Sequence, residues 1–268
     1  MLRVGVIGCG TIGAEICKAI DRGMVEATLA GVSDIDAPRA CAVAKSLDSA
    51  PPVLPPGELI GASELVVEAT SRAVAPSLIA ECLSRGRDIM VMSVGGLLER
   101  AEEFVALARR QGRRIYVPTG AIAALDAVKG ACVASVSRVT LTTSKPPRGL
   151  DGAPYVVQNR IDLAGVREPT VVFTGSARQA VPAFPANINV AAALSLAGIG
   201  ADQTQVRVVA DPTSNRNVHE IEAEGDFGRL SVRIENVPSP HNPKTSYMAA
   251  LSAIALLRRI TAPLVVGT

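Results

Sequence analysis

Leu2-Arg3-Val4-Gly5-Val6-Ile7-Gly8-Cys9-Gly10-Thr11-Ile12-Gly13-Ala14 is the stretch whose reading decides the fold. An apolar, β-branched run ends in Gly8-x-Gly10-x-x-Gly13, and a helical pattern follows from Ala14 through Ala19. Strand, glycine turn and helix in that order form the phosphate-binding turn of a dinucleotide-binding (Rossmann) domain. Gly8 makes the turn, Gly10 lets a pyrophosphate approach the backbone, and Gly13 lets helix and strand pack closely. The helix start offers N–H groups and a positive dipole end to a diphosphate. Gly8, Gly10, Thr11, Ile12 and Gly13 are therefore candidate cofactor-binding residues. A glycine-rich turn with no ligand is the alternative, and Asp34 argues against it. Asp34 ends the next apolar run, Ala27 to Val32, about 20 residues past Gly13, the separation expected of the acid that holds the adenosine ribose hydroxyls. A carboxylate there favours NAD, while Arg39 nearby softens that preference, so NAD or NADP is the expected cofactor.

Bulk properties narrow the class. The 268 residues are 48% hydrophobic, enough for a sizeable core. A net charge of +2 with no basic run gives no footprint for nucleic acid, and the absence of Trp with only 3% aromatic residues leaves no base-stacking platform. Five scattered cysteines, none in a CxxC pair, point to reduced thiols and to neither disulfides nor a metal site. No apolar run is long enough to span a bilayer. The first strand begins at once, leaving no room for a signal peptide. The expectation is a cytoplasmic protein with a small-molecule substrate, no nucleic-acid or membrane partner, and a homodimer as the commonest symmetric state.

Further along, Leu65 to Ala69, Asp88 to Ser93 and Arg114 to Pro118 read as short buried strands, separated by helices at Pro76 to Arg85 and Glu99 to Gln111. That alternation is right for a parallel, doubly wound sheet. Pro51-Pro52 and Pro55-Pro56-Gly57 punctuate a loop. The character changes near Gly120. Leu125 to Ala134 reads as a helix, Val136 to Thr143 as a strand ended by Ser144-Lys145-Pro146-Pro147, and Asn217 to Glu224 and Arg229 to Asn236 alternate apolar with polar. The expected fold class is α/β: a dinucleotide-binding domain over residues 1–122 and a second, mixed-sheet α/β domain over 123–240 with one sheet face covered. The C-terminal segment 241–268, helical from Thr245 to Arg259, is expected to rejoin the first domain.

Only two histidines are present, His219 and His241. A dehydrogenase needs a proton carrier beside its hydride acceptor, and histidine titrates nearest working pH. On a strand His219 shares a face with Asn217 and Ile221. A structural histidine is the competing reading. His241 sits between prolines and reads as a surface residue. Lys145, Lys244, Thr245 and Ser246 combine cations and hydroxyls suited to carboxylates, with a solvated lysine and a helix N-cap as alternatives. Asn187 and Asn189 precede a small-residue helix and suit either a cap or a nicotinamide amide.

Four blocks carry a resemblance: Gly120-Ala121-Ile122-Ala123-Ala124-Leu125-Asp126, Phe184-Pro185-Ala186-Asn187-Ile188-Asn189-Val190-Ala191, Asn217-Val218-His219-Glu220-Ile221 and Asn242-Pro243-Lys244-Thr245-Ser246. With the glycine fingerprint they resemble the L-aspartate dehydrogenase family from end to end. The resemblance implies reversible, NAD- or NADP-dependent oxidation of L-aspartate through iminosuccinate, which feeds NAD biosynthesis or hydrolyses to oxaloacetate and ammonia. It implies that His219 is the catalytic acid/base and that Ala123 and Asn189 contact the cofactor near its nicotinamide. Lys145, Asn187, Lys244, Thr245 and Ser246 are the substrate candidates by their own chemistry. Ser144 stands where the family often has Arg. Two alternatives share the fingerprint: a two-domain dehydrogenase of homoserine, a sugar or an imine, and a non-catalytic NAD(P)H sensor.

Overall fold

A computed structural model describes residues 1–185, 189–239 and 242–268, the side chains of 238 and 242–245 excepted. The chain divides into two compact units, Met1–Pro118 with Ala249–Val266, and Thr119–Met248 with Gly267–Thr268.

The first unit alternates strand and helix: β1 (Leu2–Ile7), α1 (Thr11–Asp21), β2 (Ala27–Ser33), α2 (Ala37–Lys45), α3 (Pro56–Ala62), β3 (Leu65–Glu68), α4 (Ala75–Ser84), β4 (Asp88–Val91), α5 (Val94–Leu98), α6 (Ala101–Gln111) and β5 (Ile115–Tyr116). Its strands lie in the order β2-β1-β3-β4-β5, and every pair is parallel. Beyond β2, Val53 makes one isolated parallel bridge to Val32. That bridge stands where the third strand of a 3-2-1-4-5-6 dinucleotide sheet would lie. Pro51, Pro52, Pro55 and Pro56 confine it to one residue, because proline cannot donate to a ladder. The order reverses between β1 and β3, which is the crevice where such sheets bind nucleotides.

Local chemistry sets the helix ends. Asp36 accepts the N–H of Arg39 at 3.1 Å and starts α2, with proline in the first turn. Gly112, at φ 61°, stops α6 in the left-handed conformation that glycine adopts without strain. The expected helix from Glu99 to Gln111 is α6 and begins two residues later, at Ala101, and the short helix α5 over Val94–Leu98 precedes it. One core, with Val4, Val6, Ile16 and Val67, lies on one side of the sheet, and a second, with Leu59, Ile79, Ile89 and Phe104, on the other.

The second unit runs α7 (Leu125–Ala131), β6 (Val136–Lys145), a 3-10 turn (Pro147–Gly149), α8 (Pro154–Gln158), β7 (Thr170–Ser176), α9 (Ala177–Ala183), α10 (Asn189–Ala197), β8 (Gln205–Ala210), β9 (Asn217–Gly225), β10 (Gly228–Asn236), β11 (Pro238–Ser239) and β12 (Asn242–Ser246). The five-stranded sheet has the order β10-β9-β6-β8-β7, with β6 and β8 parallel and the other pairs antiparallel. It is the mixed sheet expected. One face is apolar, with Val139, Leu141, Val206, Val208, Ile221 and Ala223 all buried. The other carries ion pairs such as Arg138–Glu224 and Arg233–Glu220, as period-two alternation requires. Tyr155, Phe173 and Phe184 form an aromatic cluster with centroids 5.1 to 5.7 Å apart.

Three expectations are corrected. β6 does not end at Thr143 but continues through Lys145, because β8 and β9 both pair with it that far or nearly so. α7 stops at Ala131, short of Ala134. The last helix, α11 (Tyr247–Thr261), begins after Thr245, since Asn242–Ser246 is spent as β12 pairing antiparallel with β11. Residues through Met248 accordingly group with the second unit, and Ala253, Ile254 and Leu257 of α11 enter the first unit's core beside Val4 and Val6.

Candidate active site

The glycine turn of the first unit is built to admit a diphosphate. Gly8, at φ 102°, passes so close to β3 that a Cβ there would meet the Ala69 carbonyl oxygen at 2.3 Å. A Cβ on Gly13 would strike the Gly8 carbonyl oxygen at 1.8 Å, so α1 can pack against β1 only with glycine there. A Cβ on Gly10 would meet nothing within 4 Å. That open space lies at the start of α1, where Thr11, Ile12 and Gly13 have no acceptor within the helix and no side chain caps the end. An elongated anion fits it.

Asp34 follows β2 and is tied to this turn. One carboxylate oxygen accepts the Cys9 N–H at 2.6 Å, the other the Asp36 N–H at 2.9 Å. Two of its four lone-pair positions remain for ribose hydroxyls. The Arg39 guanidinium reaches Asp34 at 3.7 Å and Asp36 at 2.9 Å, with about half its side chain in solvent. Cys9 is buried, and burial, reinforced by the Asp34 charge, pushes its thiol up to about 11. It is no nucleophile.

Glu68 is the residue that reading the sequence missed. It closes β3 and is fully buried. One carboxylate oxygen accepts from the Thr70 N–H and the Thr70 and Ser93 hydroxyls at 2.7 to 2.9 Å, and the other accepts the Ser93 N–H at 2.9 Å. The carboxylate therefore stitches together the carboxyl ends of β3 and β4, at the rim where a nucleotide sits in such sheets. An acid closing an otherwise apolar parallel strand was the available signal.

In the second unit the register gathers the polar candidates. Thr143 of β6 lies directly opposite His219 of β9, and the Thr143 hydroxyl is 3.0 Å from His219 Nδ1. Lys145, two residues on, shares that face. Thr143, Lys145 and His219 are 1%, 6% and 3% exposed. Burial lowers the Lys145 ammonium to about 8. Burial, and then the Lys145 charge, lowers His219 to about 3, so its ring is neutral at physiological pH. Asn217, two residues before His219, donates its side-chain amide to the Ser246 hydroxyl at 3.4 Å. Asn236, opposite Asn217 on β10, donates to the Ala121 carbonyl at 2.8 Å, while its buried amide oxygen has no partner among the described residues.

Through Asn236 the loop before α7 is fixed to the sheet. It carries Ala123, half-buried, and Ala124, a non-glycine residue at φ 65°. Asn189 is the exposed first residue of α10. Ser144 points to the opposite face of β6 from Thr143 and Lys145, so the position where the family often has Arg lies away from the His219 face. Asn187 and His241 lie outside the described residues. Lys244 and Thr245 fall within β12, and their side chains are likewise outside the description. Among the described residues no group of three His, Cys, Asp or Glu is placed to hold a metal ion, and no helix is long and apolar enough to cross a membrane.

Comparison with known proteins gives the family. Residues 126–260 match the family described as aspartate dehydrogenase, C-terminal, and residues 8–118 match homoserine dehydrogenase, NAD binding domain. The chain is 47% identical to an L-aspartate dehydrogenase of Methanosarcina mazei and 50% identical to one of Methanocella arvoryzae, over 100% of both chains in each case. It is 47% identical to one of Bradyrhizobium diazoefficiens, over 100% of this chain and 94% of the relative. Among solved structures, an aspartate dehydrogenase from Thermotoga maritima shares the fold at a TM-score of 0.75 with 23% identity, covering 100% of both chains. A putative myo-inositol dehydrogenase from Sinorhizobium meliloti is a more distant fold match, at 0.54 and 17% identity over 97% of this chain and 87% of that one. The chain belongs to the L-aspartate dehydrogenase family.

Proposed function

We propose that this chain oxidises L-aspartate with NAD or NADP, giving iminosuccinate, which water converts to oxaloacetate and ammonia. The observation that carries the reading is the buried face on which a neutral His219 and the cation of Lys145 lie together, in a chain that matches its relatives over their whole length. When bound, the nicotinamide supplies the hydride acceptor. The residues of the chain do the rest.

Gly8, Gly10, Thr11, Ile12 and Gly13 hold the diphosphate, and Asp34 the adenosine ribose. Ala123 and Asn189 contact the nicotinamide end. Lys145 holds a substrate carboxylate, and Ser246 donates a hydrogen bond to one. Asn187, Lys244 and Thr245 complete the substrate contacts. His219 Nε2 takes a proton from the substrate amine. As that N–H bond breaks, the nitrogen lone pair forms the C=N bond, and the Cα–H pair departs as hydride. In reverse His219 returns the proton. A proton acceptor must be neutral at working pH, which burial beside Lys145 ensures. A dicarboxylate substrate adds negative charge and opposes both downward shifts, so the cation and the histidine that hold it are each drawn toward their ordinary values on binding.

The test is absorbance at the reduced-nicotinamide band with purified protein, cofactor and a substrate panel. Reduction with L-aspartate and none with D-aspartate, homoserine or malate supports the reading. Reduction with homoserine alone moves the substrate elsewhere. Tight NADH binding with no turnover of any substrate makes the chain a sensor.

A further inference from the structure

We infer that Thr143 is a positioning residue for proton transfer, holding the His219 ring through Nδ1 so that Nε2 is the nitrogen that meets the substrate. The inference rests on the reading of His219 as the proton carrier. Its basis is geometric. Thr143 and His219 face each other across the β6–β9 ladder, with Oγ1 and Nδ1 3.0 Å apart. Both side chains are almost completely buried. β6 is a central strand, paired with β9 on one side and β8 on the other, and Thr143 itself is opposite Val208 of β8. The hydroxyl is thus fixed to a backbone that has little freedom to shift.

A hydroxyl suits this position better than a carboxylate. With Nε2 as the proton acceptor the neutral ring carries its hydrogen on Nδ1, and the hydroxyl accepts from that Nδ1–H in the neutral ring and in the imidazolium alike. The same contact therefore serves the ring before and after proton transfer without moving a heavy atom. A carboxylate would favour the charged ring at all times. Thr143 carries no charge, so the ring rests neutral beside Lys145 and its orientation survives the arrival and departure of the proton. Without the hydroxyl, the buried Nδ1 would lose this partner and the ring its fixed plane.

Threonine to valine is close to isosteric and suits a strand, so Thr143→Val isolates the hydroxyl and Thr143→Ser restores it. With only two histidines in the chain, protein labelled with [15N]histidine gives a readable imidazole spectrum. The wild-type His219 nitrogens are expected to be widely separated, as in a ring held in one neutral form. In Thr143→Val they should converge as the tautomers exchange. Turnover in Thr143→Val should fall roughly three- to tenfold, the equivalent of one net hydrogen bond. KM for NAD should stay unchanged, and Thr143→Ser should recover both the spectrum and kcat. Unmoved nitrogen resonances or wild-type kcat in Thr143→Val would overturn the inference, as would failure of Thr143→Ser to recover. His219→Gln separates the two layers. Retained turnover there removes His219 from the mechanism and the catalytic role of Thr143 with it. Loss of turnover there, with Thr143→Val at full rate, overturns the role of Thr143 alone.

Discussion

Replacing Lys145 with methionine should make the protein more stable and a poorer binder of dicarboxylates. Lys145 is 6% exposed, and burial brings its ammonium from 10.5 to about 8. At about 1.4 kcal/mol per pH unit, keeping that group charged at neutral pH costs the folded state about 3 kcal/mol. The sign follows from proton counting. Between pH 8 and 10.5 the unfolded chain holds a proton that the folded chain has released, so stability rises with pH across that window. Below pH 8 both states are protonated and the cost is fully present. Methionine keeps an unbranched stem of similar length and removes the charge. Lys145→Met should therefore raise the melting temperature by several degrees at pH 7, with the gain vanishing towards pH 10.5. Losing the cation should weaken succinate, a competitive dicarboxylate without an amine to titrate, by at least roughly tenfold, since one partner of a buried charge pair is removed. In the wild type, succinate inhibition should weaken as pH rises through about 8, where Lys145 loses its charge. Scanning calorimetry and inhibition kinetics measure the two arms. A variant no more stable than wild type that binds succinate equally well would refute both the buried-cation reasoning and the carboxylate role.

Further predictions concern other parts of the account. His219 falls from 6.5 to about 3 in the folded state, so the unfolded chain binds the extra proton between those values. Stability is then complete above pH 6.5 and is lost as pH drops towards 3; His219→Gln should flatten that part of the acid-unfolding profile, and an unchanged profile would contradict the burial of a neutral ring. Glu68→Gln replaces one of two acceptor oxygens by a donor facing Ser93 or Thr70, leaving buried donors unmatched at roughly 1–3 kcal/mol each. It should lower the melting temperature and raise the Kd for NADH measured by fluorescence; unchanged NADH affinity would confine Glu68 to a structural part. Arg39→Ala should raise KM for NADP severalfold and leave KM for NAD nearly unchanged, because Arg39 is the exposed cation beside Asp34. Equal effects on both cofactors would show that Arg39 acts only by bracing Asp34 and Asp36.

What was legible in the sequence was whatever local pattern determines. The glycine turn, Asp34 and the alternation of short apolar strands with helices each follow from residues within about thirty positions, although α3 begins at Pro56 where a loop was expected and the short α5 was not foreseen. The strand at Asn217–Gly225 and the shared face of Asn217, His219 and Ile221 follow from period two alone. Errors came where prolines stood beside pairing partners far along the chain. Pro146 and Pro147 suggested that β6 stopped before Lys145, yet β8 pairs with it through Lys145. Pro238 and Pro240 suggested a boundary where β11 and β12 pair antiparallel. The pairing of Thr143 with His219 spans 76 residues and exists only through register, which no local window contains. Glu68 was visible as an acid closing an apolar strand, but its four donors come from two strand ends and needed the fold.

The central claim is that hydride leaves Cα of L-aspartate while His219 handles the proton. The most direct measurement uses L-aspartate deuterated at Cα, with mass spectrometry of the reduced cofactor. The account predicts deuterium on the reduced nicotinamide in wild type, and turnover nearly abolished in His219→Gln with cofactor binding intact. Reduced cofactor without the label, or an undiminished rate in His219→Gln, would contradict it.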